Sequence, residues 1–194
     1  RYDLKPRSQR RALSPEEIGR LLAVASFERA LVYRTALVTA FRAGELASLR
    51  VGDLDPVKGT IFLRGSFAKD RLDAVYVLPP DLLRDLIETC RGRVQEESLL
   101  TALVRPHAAQ MLYEDLTPAE IPPSNFHGRV DFHSLRVTAI TQWIEQGYDA
   151  KTVQALARHK TAELTLGLYA KVNPGRVREA VTGMEQVIGA AWGQ

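Results

Sequence analysis

Apolar residues recur along most of this chain at the three-to-four-residue spacing of helices with one buried face, and in one region they form short continuous runs instead. Ser14-Pro15-Glu16-Glu17 is a helix start, with a capping serine, proline at the first position and glutamate at the third. Ile18, Leu21, Leu22 and Ala25 then follow at helical spacing. A second helix is predicted from about Glu28 to Phe41, with Leu31, Leu37, Val38 and Phe41 toward the core, and Gly44 breaks it before a short helix through Glu45, Leu46 and Leu49. Asp53-Leu54-Asp55-Pro56 and Lys58-Gly59 are turn chemistry. Thr60 to Arg64 and Ala74 to Leu78 read as strands, short runs rich in β-branched and aromatic residues, joined by the long basic tip Gly65-Ser66-Phe67-Ala68-Lys69-Asp70-Arg71.

Pro79-Pro80-Asp81 stops the second strand and opens a helix with Leu82, Leu83, Leu86 and Ile87 on one face. Leu99, Leu100, Leu103 and Val104 suggest a short buried piece, and Pro106 starts a helix reaching Leu116. Residues 117–130, with three prolines, an asparagine and a glycine, read as a loop. A helix opens at Asp131 or Phe132, runs through Ile140, Trp143 and Ile144, and ends at Gly147. Asp149 caps the next, to Ala157, and Thr161 caps a short one with Leu164, Leu166, Leu168 and Tyr169. Asn173-Pro174 opens a last helix striped by Val177, Val181, Met184 and Ile188. The fold class is therefore mainly α with a small antiparallel β-sheet.

The 194 residues suffice for one domain with its own core. The basic excess is three charges, a mild pointer to an acidic partner such as nucleic acid. Five of residues 1–13 are Lys or Arg, so this stretch reads as a basic linker or arm, its abrupt start suggesting a piece of something longer, with residues 14–194 as the folded domain. Cys90, the single cysteine, sits in an apolar helical run and reads as core. No apolar run reaches membrane-spanning length, and the expected location is cytoplasmic.

Chemistry gathers at the element ends. His133 and Arg136, three apart at a helix start, share a face, where backbone N–H groups and the helix dipole already favour an anion. Taken alone they are equally a pair of solvated basic residues. Arg42, Lys69, His159 and Tyr169 complete a set. Arginines bind phosphate bidentately, lysine or histidine can give a proton to a departing oxygen, and tyrosine can attack phosphorus. The combination fits covalent phosphoryl transfer without metal or other cofactor. The four histidines show no metal-ligand spacing, and there is no Gly-rich phosphate loop and no nucleophile elbow.

Four stretches in this order resemble the catalytic domain of the tyrosine recombinases, the phage-integrase family. Thr39-Ala40-Phe41-Arg42-Ala43-Gly44-Glu45-Leu46 is similar to the family's first arginine box, and the tip with Lys69 to its β-turn lysine. His133-Ser134-Leu135-Arg136 is similar to its His-x-x-Arg box, and Leu156-Ala157-Arg158-His159-Lys160 with Tyr169 to its Leu-Gly-His box and nucleophile. The resemblance covers Ser14 to about Val172.

The resemblance implies a site-specific recombinase or integrase that cuts and rejoins double-stranded DNA through a 3′-phosphotyrosine, independently of metal and ATP. Arg42 and Arg136 would clamp the scissile phosphate. Lys69 would be the general acid, His133 would assist proton transfer, His159 would bond a non-bridging oxygen and Tyr169 would attack. Glu45 would brace the site, and Arg71, Arg158 and Lys160 would contact the DNA backbone. It further implies a homotetramer on DNA and a monomer when free, an N-terminal core-binding domain before this chain, and a C-terminal helix (residues 175–194) docking into a neighbouring protomer. Lys69 and Tyr169 are the groups expected to be displaced without DNA.

The chain departs from the family's pattern at several positions. Ala40 stands where glycine is usual, Phe41 where leucine is, and Val137 where histidine is common. Ala157-Arg158 replaces Leu-Gly or Met-Gly, and Lys160 replaces serine. The competing readings are a catalytically idle DNA-binding or architectural domain, and a type IB topoisomerase or telomere resolvase.

Overall fold

The computed structural model of the chain describes residues 9–172, without the side chains of 105 and 170–172. The stripe from Val177 to Ile188, and with it the expected docking helix, lies outside the described residues.

The helices form where local capping chemistry is best. Helix α1 (Pro15–Val24) starts on the expected capping box, Ser14 accepting from the Glu17 N–H while the Glu17 carboxylate accepts from the Ser14 N–H. Helix α2 (Phe27–Thr39) is capped by Ser26 and ends at Ala40, whose φ of 53° is left-handed. Inside it the buried Thr35 and Thr39 hydroxyls each donate to the carbonyl four residues back, so no buried oxygen goes unpaired. Helix α3 (Ala43–Ser48) follows after a sharp turn at Phe41 and Arg42.

The region of short apolar runs is a three-stranded antiparallel sheet, β1 (Leu54–Asp55), β2 (Thr60–Leu63) and β3 (Ala74–Val77), in chain order. Ile61 faces Tyr76 and Leu63 faces Ala74 across the β2–β3 pair. The β1 strand is a correction. Its two residues read as turn, because they are too short to show alternation and gain strand character only from the partner beside them.

Helix α4 (Pro80–Cys90) packs Leu82 and Leu86 inward. Leu99, Leu100 and Leu103 are buried as expected, on turns without a helix, but Val104 is 54% exposed. Helix α5 (Ala108–Leu116) follows, and the 117–130 loop contains a minimal hairpin, β4 (Ser124–Asn125) with β5 (Gly128–Arg129). Cys90 is a half-buried free thiol at the edge of the core.

Helix α6 (Phe132–Glu145) is the central element. Asp131 caps it, accepting from the His133 N–H. Its N-terminal half, with Phe132 and Leu135, belongs to the main core built by α1 to α5 and the sheet. Its C-terminal half, with Ala139, Ile140 and Ile144, belongs to a second, smaller core shared with α7 (Ala150–Ala157) and α8 (Ala162–Val172). Gly147, at φ 90°, gives the left-handed turn that lets the chain leave α6.

The end of the basic arm is built into this body. Arg11 N donates to Arg129 O and Arg129 N donates to Gln9 O, so the arm runs alongside β5. Gly128 has to be glycine there, since a Cβ would lie 2.1 Å from Gln9 O. Leu13 is 1% exposed, and its N–H donates to Thr138 on α6. The Arg11 guanidinium lies bidentate on Glu17, at 2.7 and 2.8 Å.

That pair is shielded, and the Arg11 hydrogen bonds, outweighing the cost of burial, hold the Glu17 carboxyl below its ordinary range. Its stabilisation is present above the unfolded glutamate pKa and lost as pH falls through the lower folded value. Glu17→Ala leaves a buried cation alone and is expected to cost about 3 kcal/mol. Urea denaturation at pH 7 measures it, and a loss well under 1 kcal/mol would show the arm to be merely draped on the surface.

Candidate active site

The first arginine box sits where α2 ends and α3 begins. Ala40 terminates α2 in the left-handed region, which swings Arg42 to the N-cap of α3. Glu45, at the third position of α3 and 2% exposed, takes the Arg42 N–H on Oε2 at 2.9 Å and the Arg42 guanidinium on Oε1 at 2.8 Å. The same carboxylate accepts from the backbone N–H of Lys69 at 3.5 Å. The segment carrying Lys69 is thus docked on α3, where displacement was expected. The Lys69 side chain is exposed.

Arg136 projects from the second turn of α6 and is 3% exposed. One η nitrogen donates to the carbonyl of Ala40 at the end of α2, the other to that of Ala157 at the end of α7. A guanidinium has five N–H donors, so these two bonds leave the others for a ligand. Burial pushes Arg136 down to about 10, with Arg42 the strongest charge adding to the effect and Glu45 opposing it. It stays a cation at neutral pH. The two guanidiniums therefore stand in one another's field, as a shared anion site requires.

His133 lies one turn earlier on α6, exposed, and His159 is half-buried just beyond α7. Desolvation, then Arg10 and Arg136, pushes the His133 imidazole down to about 4, a shift that water and salt at its open edge soften. Desolvation, then Arg136 and Arg42, pushes His159 likewise to about 4. Its Nδ1 is 3.0 Å from the hydroxyl of Thr165, which is 1% exposed on α8. With that hydroxyl donating, a neutral ring carries its proton on Nε2.

Tyr169 is half-buried on α8 and packs against the smaller core beside Trp143 and Leu168. Its hydroxyl donates to the Tyr148 carbonyl in the turn between α6 and α7. Arg42, His133, Arg136 and His159 stand in one another's field near the two helix ends, and of Lys69 the backbone N–H reaches Glu45, whereas the Tyr169 hydroxyl is engaged at the turn between α6 and α7.

Of the expected DNA-backbone residues, Arg71 and Lys160 are exposed. Arg158 is different. Its side chain is 9% exposed and lies bidentate on Asp70. A groove of about 1150 Å³ opens beside it, between β3 and α7, lined among others by Tyr76, Trp143 and His159. Three contributors went unnoticed in the sequence: Asp70, Thr165 and Tyr76. The Tyr76 hydroxyl donates to Leu156 O at 2.6 Å, and its ring meets Phe41 edge-on at 4.8 Å, which pins the sheet to α7 and α2. Inward alternation on β3 was the one signal that pointed to Tyr76. Among the described residues no three His, Cys, Asp or Glu side chains gather as a metal site, and no helix is long and apolar enough to cross a membrane.

A model described as the phage integrase family matches residues 11–176. The chain is 28% identical over 189 residues to the tyrosine recombinase XerA of Thermococcus kodakarensis, a match covering 90% of this chain and 63% of that protein. It spans less than two thirds of the length of such curated relatives. The crystal structure of XerA recombinase superposes with a TM-score of 0.71 at 22% identity, over 92% of this chain and 65% of that one. The catalytic domain of bacteriophage HP1 integrase superposes at 0.64 and 21% identity, over 90% and 95%.

Two outcomes follow from the geometry. Arg136→Met strands two helix-end carbonyls and is expected to cost about 3 kcal/mol in denaturant, against under 1 for a solvated arginine. The free His159 ring is expected to titrate by NMR well below the ordinary value of about 6.5. Its folded pKa is depressed, so its contribution to stability is full above about 6.5 and lost as pH falls toward about 4. A midpoint at the ordinary value would mean a solvated ring.

Proposed function

This chain belongs to the phage integrase family, and from that premise we propose that it is the catalytic domain of a site-specific DNA recombinase that cuts and rejoins strands through a covalent tyrosine intermediate. The observation that carries the reading is the convergence of Arg42, Arg136, His133 and His159 around the Ala40 and Ala157 helix ends, with Glu45 bracing Arg42 and the Lys69 segment.

In this reading a phosphodiester enters the field of the two guanidiniums. Its non-bridging oxygens take the N–H groups that Arg42 and Arg136 do not spend on Glu45 and the carbonyls, together with the Nε2–H of His159. These donors are fixed before the reaction begins, so they stabilise the pentacoordinate transition state without reorganising. The Tyr169 oxygen attacks phosphorus and loses its proton to the neutral His133 ring. The P–O5′ bond breaks, and Lys69 gives a proton to the departing oxygen. The product is a 3′-phosphotyrosine with a free 5′ hydroxyl. Reversal by another 5′ hydroxyl rejoins the strand and conserves the phosphoester, so no nucleotide or metal is consumed.

The resting contact between Tyr169 and the Tyr148 carbonyl must be released before attack. Duplex DNA is the proposed partner, with Arg71 and Lys160 on its backbone and a homotetramer as the assembly that exchanges strands. The protein is then DNA-associated in the cytoplasm.

The test is a pool of nicked duplexes of randomised sequence, incubated with the protein in EDTA. An SDS-resistant adduct is expected, whose recovered DNA reports the preferred site, and Tyr169→Phe is expected to form none. Arg42→Ala should slow adduct formation by on the order of 10²-fold or more. A requirement for divalent metal, or an adduct that survives in Tyr169→Phe, rejects the mechanism.

A further inference from the structure

Arg158 occupies a position built for glycine. It is the C-cap of α7 at φ 51° and ψ 47°, where a side chain costs roughly 1 kcal/mol. An arginine there has to be compensated by what its side chain does. The side chain turns inward: Nε is 3.0 Å from Asp70 Oδ2, Nη2 donates to Asp70 Oδ1, and Nη2 lies 3.9 Å from Glu45 Oε1. Nη1 is buried and has no hydrogen-bond partner. Burial alone would raise the Asp70 carboxyl, but the Arg158 bonds hold it below its ordinary range, so the pair is ionised at neutral pH.

Asp70 directly follows Lys69. Arg158 therefore ties the Lys69 segment to the end of α7, one residue from His159 and next to the Ala157 carbonyl that holds Arg136. On the other side, Ala68 is buried in the main core and the Lys69 N–H makes a long contact to Glu45. We propose that Arg158 is a positioning residue: by gripping Asp70 it latches the β2–β3 connection onto the phosphate-binding residues and sets where the Lys69 ammonium stands. This rests on the recombinase reading, in which Lys69 protonates the leaving 5′ oxygen. A bidentate guanidinium–carboxylate pair suits the task because it fixes orientation as well as distance.

The test separates a failure of general-acid positioning from any other defect. The site recovered from the randomised pool is made as two nicked duplexes, one with the ordinary 5′ oxygen and one with a bridging 5′ sulfur at the scissile phosphate. A thiolate leaves without a proton because a thiol is far more acidic than an alcohol. Wild type, Lys69→Ala, Arg158→Gly and Asp70→Asn are compared, each with a thermal melt to confirm folding. The glycine variant relieves the backbone, and the asparagine keeps the shape of Asp70 while removing its charge.

Arg158→Gly and Asp70→Asn are expected to cleave the oxygen duplex at least about tenfold more slowly than wild type, part of the roughly 10²-fold or greater loss expected for Lys69→Ala. All three should cleave the sulfur duplex within about threefold of wild type, as expected when only the general acid is affected. Wild-type rates on the oxygen duplex in both latch variants, or equal losses on both duplexes, would overturn the positioning role. Wild type forming no adduct on either duplex would overturn the recombinase reading, and the latch with it.

Discussion

A buried guanidinium shared between two helix ends holds this site together. Arg136 is too enclosed to be hydrated, and an isolated charge there would be prohibitive. The last carbonyls of α2 and α7 carry the negative ends of their helix dipoles and lack partners within their own helices. Each side supplies what the other needs. The geometry is correspondingly strict, since α2, α6 and α7 can meet in only one way if one planar fork is to reach both Ala40 O and Ala157 O. The two cores of the molecule join at that point, so the placement of Arg42 on one side and His159 on the other follows from it.

Positive charge is crowded at this site. Arg136 is depressed by burial and by Arg42, His159 by desolvation and then Arg136 and Arg42, and the more open His133 in the same direction by desolvation and then Arg10 and Arg136. A doubly coordinated phosphate would relieve the repulsion between the guanidiniums and raise the proton affinity of every group facing it. Repulsion among fixed donors is thus built into the folded state, the form of preorganisation that would favour a charged transition state in the proposed reaction. The buried Glu45 limits the cost, because it neutralises part of the cluster from the side away from the ligand.

The two departures from the family's glycines acquire a physical meaning here. Ala40 and Arg158 are the left-handed C-caps of α2 and α7, the very helices Arg136 bridges. Glycine would adopt either conformation without steric cost. In this chain the Ala40 methyl is wholly buried in the smaller core, and Arg158 reaches the Asp70 carboxylate. Both positions exchange backbone ease for a tertiary contact next to the carbonyls that hold Arg136. Tyr169 packs against the same smaller core and is hydrogen-bonded at its rim.

Much of this was legible along the chain because it depends on near neighbours. The Ser14, Asp131 and Asp149 caps and the apolar runs of β2 and β3 act over a few residues, and the structure shows each of them. The order of the boxes was enough to suggest the family. What stayed hidden depends on partners remote in sequence. Asp70 and Arg158 are 88 residues apart, so a residue read as a DNA contact is instead an internal brace. Arg11 and Leu13 read as part of a solvated arm because their burial is decided by α6 and β5, more than a hundred residues on. Periodicity and capping specify which residues form an element and which face it hides. Which carbonyl a guanidinium reaches is decided only when those faces are packed together.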